Sequence, residues 1–166
     1  MIKYLHELDE TASEVGAVNT IRLNEGKLLG FNTDVYGCMQ SIMKLLQPRH
    51  SQALILGTGG SSRAVAYGLK KMGIDCSYVS RKGSGIDYAD INTEIMAHHK
   101  LIINCTPVGM YPEITNCPEI PYEMLTPAHL LFDLIYNPEE TMFLRKGRQQ
   151  GAQTSNGLEM LQLQAQ

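Results

Sequence analysis

The run Ala53-Leu54-Ile55-Leu56 passes without a polar residue into the turn Gly57-Thr58-Gly59-Gly60, and from there into an amphipathic stretch, Ser61–Met72. An unbroken apolar run of this length reads as a strand buried on both faces, and such strands belong to parallel sheets covered by helices. Strand, tight turn and helix in immediate succession predict a β-α-β unit. The rest of the chain repeats the theme. Cys76–Val79, Leu101–Asn104 and Leu130–Leu134 read as further strands, with a brief one near Ala152–Thr154. Helices are expected near Ile91–Met96, over Glu139–Gln150 and from Asn156. The alternation predicts an α/β fold with a doubly wound parallel sheet.

The first third of the chain is patterned differently. Val18–Leu23 and Lys27–Phe31 read as hairpin strands joined by Asn24-Glu25-Gly26. From Asp34, Val35, Cys38, Met39, Ile42, Met43 and Leu46 form one helical stripe that ends before Pro48. Ile2, Leu5 and Leu8 have near-helical spacing with no cap before them. At the other end, NGLEMLQLQAQ launches a helix that stops within about three turns. Both ends read as cut, as in a fragment.

Composition removes several classes of function. The formal net charge is −3 and no basic tract stands out, which argues against a nucleic-acid partner. No apolar stretch approaches the ~20 residues of a membrane span, and no leader peptide is visible, so a cytoplasmic location is expected. Cys38, Cys76, Cys105 and Cys117 show no C-x-x-C spacing and read as reduced thiols. His98 and His99 are adjacent rather than spaced i,i+4, so no metal site is expected.

Gly57-x-Gly59-Gly60 stands where a dinucleotide fingerprint stands, after a strand and opening a helix. Gly57 permits the turn, and Gly59 lets a pyrophosphate approach the backbone. The helix N-terminus then faces the negative charge. Ser62 replaces the third glycine of the pattern. The alternative is a tight βα connection without a ligand. After the next strand, Ser80-Arg81-Lys82 occupies the place where a dinucleotide site without a 2′-phosphate carries an acid. Arginine pairs with a 2′-phosphate and a carboxylate repels it, which points to NADP.

The segments VGAVNTI, GFNTDVYG, GTGGSSRA, SRK, NCTPVGM, DLIYNPEETMFL and NGLEMLQLQA occur together in this order. In that combination the chain resembles the shikimate dehydrogenase family over essentially its whole length. The resemblance implies a Rossmann-like NADP-binding domain at 48–155. It makes residues 1–47 the end of a smaller substrate-binding α/β domain with its linking helix, and 156–166 the start of a helix returning to that domain. It further implies reversible, NADP-dependent reduction of 3-dehydroshikimate to shikimate, with quinate as a possible second substrate, by a monomer or homodimer. Carried over by motif, Asn19, Asp34, Tyr136 and Gln164 would meet the substrate, with Asp34 half of a Lys–Asp proton relay. Gly57, Thr58, Gly59, Gly60 and Ser61 would hold the pyrophosphate, and Ser80, Arg81 and Lys82 the 2′-phosphate. Leu134 and Gly157 would lie along the nicotinamide, with Glu10 near it. The relay lysine belongs to an N-V-T-x-P-x-K segment that these residues do not contain. The resemblance therefore implies cofactor binding with little catalysis by this chain alone.

Other readings stay open for these residues. Asp34 begins a helix and could be its N-cap. Asn19 falls in an expected strand, where asparagine is disfavoured. Tyr136 could be a turn tyrosine, Gln164 a solvated helix residue, and Thr106 either a cofactor contact or a strand-ending turn. A non-catalytic NADP-binding module is the alternative for the whole.

Overall fold

The computed structural model describes residues 4–81, 83 and 85–164. Five strands form a parallel sheet: β4 (Gln52–Leu56), β5 (Asp75–Val79), β6 (Leu101–Asn104), β7 (Leu130–Asp133) and β8 (Gln153–Ser155). Their spatial order is β5-β4-β6-β7-β8, so chain progression reverses direction between β4 and β6. Ligands of open α/β sheets bind outside the strand C-termini at such a reversal.

Every residue of β6 and β7, and Ala53–Leu56 of β4, is buried, which accounts for their unbroken apolar runs. Alternate side chains serve opposite faces. Ala53, Ile55, Leu101, Ile103, Leu130 and Phe132 pack with the helices α2 (Asp34–Met43), α3 (Gly60–Lys71) and α6 (Leu158–Gln164). Leu54, Leu56, Ile102 and Leu131 face α4 (Thr93–His98) and α5 (Met142–Gln149). The connection from β6 to β7 holds only a single 3-10 turn, Tyr122–Met124. Connections of that length without a helix are usually functional.

A smaller sheet has the order β1-β3-β2, with β1 (Glu7–Leu8) parallel to β3 (Lys27–Phe31) and β2 (Thr20–Asn24) antiparallel to it. The predicted hairpin is present, and Glu25 and Gly26 both take positive φ, as a two-residue turn requires. Leu8 lies in β1 rather than in a helix, while Ile2 is outside the described residues. A short helix follows that periodicity missed, α1 (Glu10–Val15). Asp9 caps its start, accepting from the amides of Thr11 and Ala12, and Gly16 ends it in the left-handed region. Helix α5 begins at Met142, not Glu139, because Thr141 caps it. Helix α2 ends at Met43, one turn short of the expected Leu46.

Candidate functional site: a trough along the strand ends

Strand β4 delivers the chain to Gly57, whose φ of +105° lies in the region that favours glycine. A Cβ there would stand 3.1 Å from Thr106 Cγ2 and 3.3 Å from Ser62 Oγ. Ser62, which replaces the third glycine, is fully buried beneath the turn and small enough to keep helix and strand close. Gly59 is different: a Cβ added to it would meet nothing within 4 Å. Gly59 also caps α3 without a side chain, so the first-turn amides are left to an outside acceptor. The turn is an open cradle at the start of α3.

Three clefts share walls, and two of them reach the start of α3 at Ser61. The first, about 160 Å³, is lined by Asp34, Ser61, Leu134, Tyr136 and Gly157 among others. The second, about 410 Å³, shares Ser61, Leu134 and Tyr136 and adds Thr106 and Ile135. The third, about 480 Å³, shares Pro107, Met110 and Tyr111 with the second and is lined also by Arg81, Glu113 and Glu119. Together they make one trough with Asp34 at one end and Arg81 at the other. A separate cavity of about 450 Å³ between α1, α3 and β5 contains none of the expected ligand-binding residues.

At the Asp34 end the helix-cap expectation fails. Thr33 occupies the cap position without a side-chain bond, and Asp34 is the first helical residue. Asn19 precedes β2 rather than lying in it. Its Oδ1 accepts from the Thr33 amide at 3.0 Å and its Nδ2 donates to Thr33 Oγ1 at 3.1 Å. Burial raises the pKa of Asp34, and the neighbouring Asn19 amide partly offsets that. Gly157 packs so tightly on the Leu134 backbone that a Cβ would overlap the Leu134 carbonyl. Tyr136 is half exposed on the rim.

The structure does not gather every expected residue. Glu10 is exposed at the start of α1, its charge felt by Lys71 rather than the trough. Thr58 is exposed in the glycine turn. Ser80 leaves β5, its amide bonded to the Ile86 carbonyl. Lys82 lies outside the described residues, and Gln164 is the last described residue of α6. No group of metal-ligating side chains occurs among the described residues, and no described helix is long and apolar enough to cross a membrane. Two polar residues missed in the sequence, Asn104 and Asp133, are completely buried at the ends of β6 and β7. Their signal was a polar residue closing each apolar strand.

No family model matches the chain. A shikimate dehydrogenase (NADP(+)) of Desulforamulus reducens is 37% identical across 97% of this chain and 63% of its own length. The chain is homologous to the shikimate dehydrogenases. It spans about 63% of the length of the curated relatives it matches. Shikimate 5-dehydrogenase of Thermus thermophilus, solved in complex with NADP(H) and shikimate, superposes with a TM-score of 0.83 at 30% identity, over 98% of this chain and 64% of that one. Quinate dehydrogenase of Corynebacterium glutamicum, solved with NAD, superposes at 0.86 with 28% identity, over 99% and 65%. The shikimate dehydrogenase homology thus takes in both the parallel sheet and the β1–β3 sheet.

Proposed function

We propose that this chain carries the NADP(H) site and the facing rim of the substrate site of a shikimate dehydrogenase. The observation that carries the reading is the trough itself. It crosses the reversal between β4 and β6, opens at the uncapped start of α3, and joins Asp34 to Arg81. The open space over Gly59 fits a pyrophosphate, which the amides of Gly60 and Ser61 would hold. Arg81 and Ser80, with Lys82, would meet the 2′-phosphate. Thr106, Leu134, Ile135 and Gly157 shape the walls and exclude water.

NADPH, when bound, supplies the hydride for the carbonyl of 3-dehydroshikimate. Charge then builds on oxygen and must be met by a proton. Asp34, beside Asn19, lines the substrate end, where its carboxyl would accept from a substrate hydroxyl and share the proton of a lysine outside these residues. Tyr136 offers its hydroxyl from the opposite rim. The lysine is the one the family carries in its N-V-T-x-P-x-K segment. The protein is expected to act in the cytoplasm on this small molecule, without nucleic acid or membrane.

The test is calorimetric titration of the 166-residue chain with NADP⁺ and NAD⁺, beside NADP⁺ reduction with shikimate and with quinate. The kinetic arm uses this chain and a version extended by the family's lysine-bearing segment. Tighter binding of NADP⁺ than NAD⁺, with turnover only in the extended version, is expected. No dinucleotide binding would overturn the proposal. Turnover with quinate and NAD⁺ alone would move the reading to a quinate dehydrogenase.

A further inference from the structure

Asp133, Asn104 and Thr141 are fully buried polar side chains for which the hydride chemistry has no direct use. Asp133 and Asn104 are register partners at the ends of neighbouring strands. Asn104 Nδ2 donates to Asp133 Oδ1 at 3.0 Å, and the Ile135 amide donates to the same oxygen at 3.1 Å. Thr141 Oγ1 donates to Asp133 Oδ2 at 2.6 Å. On its far side, Asn104 Oδ1 accepts from the Thr106 amide at 3.0 Å and from Thr106 Oγ1 at 2.7 Å. The Val108 amide in turn reaches Thr106 Oγ1 at 3.3 Å. Hydrogen bonds from one carboxylate therefore run into the loop after β6, the loop after β7 and the first turn of α5. The two loops are walls of the middle cleft, through Thr106 and Ile135.

An asparagine side chain fits its site in two orientations, oxygen or nitrogen toward a given neighbour. The neighbour decides. A carboxylate oxygen accepting two hydrogen bonds admits only the nitrogen of Asn104, so the oxygen of Asn104 must face Thr106. We infer that Asp133 is a positioning residue for the cofactor cleft: by fixing the orientation of Asn104 it anchors Thr106 and Val108, and by accepting from the Ile135 amide it sets the opposite wall. Asp133 touches no ligand itself. The inference rests on the cofactor reading for its consequence, but the anchoring is a property of the protein alone.

Two readouts separate the levels. Amide hydrogen exchange in the wild-type chain is expected to show Thr106 and Val108 protected although they lie outside any strand or helix. Asn104→Ala and Asp133→Leu are expected to remove that protection while Leu54 and Ile102 keep theirs. The same variants are expected to bind NADP⁺ and NAD⁺ each about tenfold more weakly, the scale of one lost buried charge-assisted bond. Asp133→Asn, which retains an acceptor oxygen, restores both properties. Loop-rate exchange of Thr106 and Val108 in the wild-type chain overturns the inference, even where a variant fails to fold. So does wild-type dinucleotide affinity in Asn104→Ala. A wild-type chain that shows the protection but binds no dinucleotide would sink the cofactor reading and leave the anchoring standing.

Discussion

Asn19 grips Thr33, the residue before Asp34, through both its oxygen and its nitrogen at the base of the β2–β3 hairpin, which sets an amide beside the Asp34 carboxyl and lowers its pKa. The hairpin thereby aims the acid that begins α2 into the trough. Burial alone would favour the neutral form of Asp34. Replacing Asn19 with alanine therefore raises the Asp34 pKa further, a shift visible by NMR titration of its carboxyl carbon. An unchanged or lowered value would remove Asn19 from that role.

Arg81 is a cation on the wall of the third cleft, which Glu113 and Glu119 also line. Arg81→Ala should weaken NADP⁺ by about tenfold or more and leave NAD⁺ nearly unchanged, since a phosphate contact is charge-assisted. Parallel titrations measure the ratio. Equal losses would place the 2′-phosphate elsewhere.

The two glycines at the ends of α3's cradle and of α6 should respond oppositely. At Gly59 a methyl meets no neighbour, so Gly59→Ala leaves thermal stability within about 0.5 kcal/mol while dinucleotide affinity falls. At Gly157 a methyl runs into the Leu134 carbonyl, so Gly157→Ala destabilises by about 2 kcal/mol or more. Thermal melts with and without NADP⁺ read both effects together. Undiminished affinity in Gly59→Ala would mean that no ligand approaches that backbone.

Burial pushes the Asp133 carboxyl up to about 6 against the hydrogen bonds from Thr141, Ile135 and Asn104. The folded protein then holds a proton that the unfolded chain, titrating near 3.8, has already released. Asp133 therefore costs stability as pH rises between those two values, by a total on the order of 3 kcal/mol. Asp133→Asn should gain on the wild type across that window and hold the gain at neutral pH. Denaturant unfolding at about pH 4 and about pH 7.5 measures it, and a pH-independent difference would contradict the raised value.

At the opposite edge of the sheet, His50 and His129 are buried and held neutral by desolvation. Each accepts an amide on Nδ1, from Gln47 and Thr126 respectively. Their folded pKa values lie below 6.5, so they contribute stability above that pH and lose it as acid protonates them. His129→Asn should flatten the acid limb of the stability curve, and an unaltered limb would show that other groups carry it.

Much of the fold was legible because it rests on local signals. The strands β4, β6 and β7 are unbroken apolar runs, and α2 carries an uninterrupted stripe; burial on two faces or on one imposes those patterns directly. The helix α1 escaped because its stripe is only Ala12 and Val15, although Asp9 and Gly16 mark both its ends. The start of α5 slipped because the Asn137–Glu140 turn has helix-compatible acids and only Thr141 makes the cap bond. Motifs singled out Asp34, Tyr136, Arg81 and the glycine turn, each from its own neighbours in the chain. What the sequence by itself determined was therefore the inventory: buried strands, a glycine turn opening a helix, and the polar and basic residues placed at strand ends. Only the tertiary structure decided which of them meet. The five-stranded order brings Ser61, Leu134, Gly157 and Asp34 to one cleft and leaves Glu10 outside it. It also buries Asp133 against Asn104, a pairing between neighbouring strands that no local pattern records. Periodicity reports which side of an element is apolar, whereas a hydrogen bond between strand ends depends on register, and register is set by the whole sheet.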